Sequence, residues 1–102
     1  MTEKVEHNTR ALGHGVKTVA VAGTDETLVS AARSCKWVIV QAQTDNTGII
    51  AVGGVGVDAT VATGTGVALT AGQSVTLAID DLLRVYVDAT VSGDGVRYTY
   101  GT

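Results

Sequence analysis

The chain has no proline, no phenylalanine, one cysteine (Cys35), one tryptophan (Trp37) and no cluster of lysine or arginine. A single cysteine excludes an internal disulfide, and its position beside Trp37 and Val38 reads as a packed, inert thiol. Without proline, turns fall to the 13 glycines and to Asp and Asn, whose side chains bond their own backbone. Without phenylalanine, a core must be built from aliphatic residues, Trp37 and three tyrosines. A formal net charge of −3 with no basic patch lacks the electrostatic footprint of a nucleic-acid binder. No apolar run approaches the ~20 residues of a membrane-spanning helix, and the first residues lack the apolar middle of a signal peptide. At 102 residues the expectation is one domain with one modest core.

Valine and threonine make up about a third of the chain, the bias of a pleated, half-buried surface. Residues 36–42 (KWVIVQA) and 49–52 (IIAV) are apolar runs separated by QTDNTG, which reads as a β-hairpin carrying Trp37 into the core. Alternation predicts further strands at 17–22, 27–30, 74–79, 84–89 and 96–100. A helix over 25–33 is the rival for the second of these. Residues 53–66 are glycine-rich and nearly uncharged, predicting a long loop with one short strand. Residues 80–83 form a corner. About eight short strands with frequent turns imply an all-β chain, an antiparallel β-sandwich of jelly-roll type. Residues 1–16 differ in composition, hold both histidines and read as an extended N-terminal arm; residues 17–102 read as the sandwich domain.

Candidates for chemistry are few. His7 and His14 lack the spacing of a zinc pair, and no serine stands in a nucleophile-elbow motif. The glycines of 53–66 are not followed by Gly-Lys-Ser/Thr, so they make no phosphate loop. Asp80, Asp81, Asp88 and Asp94 could supply oxygens to Ca²⁺, but their spacing is not that of a calcium loop. The expectation is therefore a non-enzyme, with no catalytic residue, cofactor or metal. Arg84 and Tyr86 alternate outward on one strand, a pairing of types enriched where proteins meet. Exposed Tyr86 and Trp37 could alternatively stack on sugar rings.

Two segments carry a resemblance. One reads SCKWVIVQA, then NTG and an apolar strand; the other reads LTAGQSVTLAIDDL, VYVDA, a glycine turn and VRYTY. Over about residues 27–100 the chain resembles small β-sandwich virion proteins of tailed bacteriophages, the capsid decoration or cement type. That resemblance implies a structural protein, made in the bacterial cytoplasm and located on the capsid surface. Its partner would be the major capsid protein or another virion protein, and it would act as a dimer or trimer without nucleic acid or membrane. A tail, neck or fibre-base part, or a tail-tip receptor-binding module, is the alternative role. The residues expected to bind partners are Glu3, Lys4, Glu6, Asn8 and Arg10 in the arm, with Arg84 and Tyr86 on the sheet.

Overall fold

A computed structural model describes residues 9–102. The strands are β1 (Leu12–Thr18), β2 (Glu26–Thr27), β3 (Trp37–Ala42), β4 (Ile50–Gly53), β5 (Val67–Leu69), β6 (Ser74–Leu77), β7 (Tyr86–Ala89) and β8 (Gly95–Gly101), with a 3-10 turn at Leu82–Arg84. They form two four-stranded sheets, ordered β1-β8-β3-β6 and β2-β7-β4-β5. Every pairing is antiparallel. The fold is thus an all-β sandwich. Its pairing is nested: first strand with last, second with seventh, third with sixth, fourth with fifth.

Alternation decides which side chains meet between the sheets, because successive residues of a strand point to opposite faces. Val38, Val40 and Ala42 of β3 and Val96 and Tyr100 of β8 face Ile50 and Val52 of β4 and Val87 and Ala89 of β7, all buried in one cluster. Val75, Leu77, Ile79 and Tyr98 close its margins. Leu82, held by the 3-10 turn that Asp81 caps through a bond from Leu83 N–H, plugs one end. Cys35 is buried nearby, its Sγ donating to the Ile79 carbonyl at 3.1 Å. Burial and the carboxylates of Asp81 and Asp80 push the thiol above its ordinary range, which keeps it protonated and unreactive.

Several expectations are corrected. β3 and β4 do not pair as a hairpin: they lie in different sheets, and residues 43–49 carry the chain across the sandwich. The reason lies in the turn. Asn46 donates its amide to the Gly95 carbonyl (2.8 Å) and accepts from Gly95 N–H (2.9 Å), while Thr47 and Gly48 N–H groups donate to the Asp94 carboxylate (3.2 and 2.8 Å). A local bond, from Asn46 N–H to the Gln43 carbonyl (3.2 Å), closes a tight turn, but the side-chain and remaining backbone bonds of the segment tie it to the start of β8 and not to a hairpin partner. Trp37, expected in the core, is on the outer face of its sheet, because Val38, Val40 and Ala42 take the inner positions. No helix forms over 25–33. The first strand spans 12–18, so the sandwich takes in residues 12–16 that the sequence assigns to the arm, and Val21 is 56% exposed.

Candidate interaction surface

The two sheets treat their outer faces differently. On the β2-β7-β4-β5 side, the glycine-rich segment folds back over the sheet: Val57 and Ala59 bury against Ala51, with Tyr86 half-buried beside them. Asp88, turned outward from β7, is sealed beneath this cover and only 1% exposed. Its two carboxylate oxygens accept from Gly23 N–H (3.0 Å) and Ala59 N–H (2.9 Å). A shallow depression of about 560 Å³ opens above it, walled by Ala22, Gly23, Val61, Ala62 and Thr90. With both oxygens engaged and apolar walls, it presents no nucleophile or proton-transfer pair.

The outer face of the β1-β8-β3-β6 sheet has no such cover among the described residues. Strand register lays it out in rows: Leu12 beside Gly101 and Trp37; His14 beside Thr99, Ile39 and Thr76; Val16 beside Arg97, Gln41 and Ser74. Leu12 is 68% exposed, Val16 64% and Ile39 37%. Trp37 lies flat because Gly101 gives it room: a Cβ there would come within 2.6 Å of the indole. The indole N–H donates to Thr9 Oγ1 at 2.9 Å, which pins the chain ahead of β1 to this face. Arg10 N–H and Thr102 O, with Thr102 N–H and Ala11 O, add backbone bonds at the same end. The three rows hold Arg97 and His14 but no carboxylate, although the whole chain is acidic. The surface mixes exposed apolar side chains with polar ones and carries Arg97 as its cation. A shallow depression of about 310 Å³ opens on it between His14, Val16, Gln43, Arg97 and Thr99, and its exposed apolar side chains suit another protein surface.

On the inner side of β1, Gly13 and Gly15 stand opposite Tyr100 and Tyr98, whose rings lie across them. The rings stack with centroids 6.2 Å apart, and Arg33 donates its Nε–H to the Tyr100 hydroxyl while sitting over the ring. Past β1, Glu26 organises the link to β2: one oxygen meets Lys17 Nζ at 2.8 Å, and the other accepts from Ala20 and Val21 N–H. Burial pushes the Glu26 carboxyl up, but Lys17 and these two N–H groups outweigh it, and the net direction is below the ordinary 4.5. A carboxylate depressed on folding stabilises above its unfolded pKa and loses that stabilisation as pH falls through the folded value. Asp81, depressed by bonds from Arg33 and Leu83 N–H, acts with the same sign. Urea midpoints of Glu26→Gln and the parent, followed from neutral to about pH 3, should converge as pH drops below 4.5. A constant gap at all pH values would contradict the assignment.

Of the residues expected to bind partners, Glu3, Lys4, Glu6 and Asn8 lie outside the described residues. Arg10 is exposed and held through its backbone to Thr102. Arg84 is exposed at the 3-10 turn, with Asp80 at 3.7 Å. Tyr86 lies under the cover of the opposite sheet, half-buried, so it does not join Trp37 as a free stacking platform. The four aspartates serve four separate places: Asp81 caps a turn, Asp88 and Asp94 bind backbone N–H groups, and Asp80 faces Arg84. Among the described residues no three acidic, histidine or cysteine side chains gather as a metal site. What sequence reasoning missed is that Leu12, Val16, Trp37 and Ile39 share one outer face. The signal was present in the alternation of WVIVQA, but both phases of that run are apolar. No family model, curated protein or solved structure matches the chain.

Proposed function

We propose that the chain is a virion structural protein of a tailed bacteriophage, a capsid decoration protein that binds and stabilises the shell. The outer face of the β1-β8-β3-β6 sheet, uncovered among the described residues, carries the reading: its exposed apolar side chains fit docking onto another protein. The nested pairing of first strand with last supports the jelly-roll form of the sandwich, an arrangement shared by many viral proteins. The sequence resemblance over residues 27–100 is to virion proteins of the decoration type, which favours the capsid over a tail, neck or fibre-base position. Glu3, Lys4, Glu6 and Asn8, ahead of the point where Thr9 is fixed to Trp37, would add contacts to a neighbouring subunit, with Arg10 beside them. The work is done by binding, not by catalysis.

Ile39→Lys places a charge in the middle of the face while leaving the core untouched. It should abolish co-sedimentation with shells lacking the protein and change unfolding stability by less than about 0.5 kcal/mol. Deletion of residues 1–8, which keeps β1 and its bonds, should weaken the same binding. Full occupancy of shells by the Ile39→Lys protein would overturn the role of the face; density of the protein on the tail and not the shell would overturn the capsid assignment.

A further inference from the structure

We infer that β1 pairs with β1 of a second copy about a two-fold axis through His14, joining the β1-β8-β3-β6 sheets of two molecules into one eight-stranded sheet. Four strands form the edges of the sandwich. β2 has two residues, β5 three, β6 four and β1 seven. Proteins usually guard a long edge with an outward lysine, a proline or a bulge. β1 has no proline and pairs residue for residue with β8 along its whole length. Its one lysine, Lys17, is turned to Glu26, so among the described residues the edge is left unguarded.

The ladder's phase is set at its two ends. Val19 N–H donates to Asp94 O, and Thr102 N–H donates to Ala11 O, so odd-numbered residues bond toward β8. Alternation then directs the N–H and C=O groups of Leu12, His14, Val16 and Thr18 to the open side. The side chains on that phase identify the occupant. Leu12-Gly13-His14-Gly15-Val16 reads the same in character from either end, as an isologous interface requires. With His14 opposite His14 of the second copy, each Leu12 falls opposite a Val16, and each Gly13 opposite a Gly15. The apolar pairs close on the outer face, where Leu12 and Val16 are now largely exposed. On the inner face the glycines add no bulk beside Tyr98 and Tyr100, which already cover them. A two-fold pairing consumes both copies of the edge, so the assembly stops at two.

Sedimentation and cross-linking test this without a shell, so the result is independent of the capsid reading. The full chain should show a monomer–dimer equilibrium in the micromolar range, as befits an interface at the small end of the known sizes. Val16→Lys places two lysines in the interface at an exposed position. It should shift the equilibrium at least tenfold toward monomer with an unchanged circular dichroism spectrum and, at dilutions where both proteins are monomeric, an unchanged Tm. In a Cys35→Ser background, His14→Cys should form an intermolecular disulfide on mild oxidation, because paired residues about 5.5 Å apart at Cα lie within disulfide range. Ile39→Cys, away from the edge, should not. A chain that stays monomeric at millimolar concentration, a dimer indifferent to Val16→Lys, or cross-linking at Ile39→Cys but not at His14→Cys would each overturn the proposal.

Discussion

Asp94→Ala should cost about 3 kcal/mol, the sum of leaving two N–H donors without their acceptor, and lower Tm by about 12–24 °C. Asp94 is 7% exposed, and its two oxygens accept from Thr47 and Gly48 N–H. Those groups belong to the segment that carries the chain from β3 in one sheet to β4 in the other. Removing the carboxylate therefore strands two donors and loosens the crossover itself. Neighbouring Asn46 cannot compensate, because its amide is already committed in both directions to Gly95. Asp94→Asn keeps one oxygen and should lose about half as much. Thermal unfolding of the three proteins checks the order. An Asp94→Ala protein as stable as the parent would mean that the crossover is held by something other than this carboxylate.

That crossover also marks where the sequence stops being readable. The strands at 74–77, 86–89 and 95–101 are legible from their alternation, and the one at 37–42 from its β-branched apolar run ahead of the turn residues at 43–48. Which strand pairs with which is not. QTDNTG has the residues of a tight turn and makes its local bond from Asn46 N–H to Gln43 O, yet its other bonds reach residues 94 and 95, about fifty positions away, and only that distant partner tells a hairpin from a crossing. β1 is illegible for a different reason. Its alternate positions Gly13 and Gly15 carry no apolar signal, because the tyrosines of β8 fill the space that side chains there would occupy. The candidate surface suffers from the opposite excess. In WVIVQA both faces of the strand are apolar, so composition cannot say which one is buried, and Tyr86, outward as alternation predicts, is hidden by a loop whose own sequence gives no hint of folding back.

The assignment of faces makes the second large prediction, a contrast between two isoleucines. Ile50 is fully buried between the sheets, whereas Ile39 is on the outer face and 37% exposed. Ile50→Ala removes three carbons from a close-packed site whose walls belong to two hydrogen-bonded sheets and cannot collapse freely, so it should cost about 2–5 kcal/mol. Ile39→Ala opens no cavity and should stay within about 0.5 kcal/mol of the parent. If stability alone shaped the chain, an exposed isoleucine between Thr99 and Thr76 could be any strand-forming polar residue at no loss. The two substitutions should therefore separate what holds the sandwich together from what it offers to a neighbour: Ile50→Ala unfolds early but binds normally while folded, and Ile39→Ala folds normally but binds more weakly. Chemical denaturation and shell co-sedimentation, run side by side, read the two effects. Equal destabilisation by both would place Ile39 in the core and remove the exposed apolar face on which the docking argument rests.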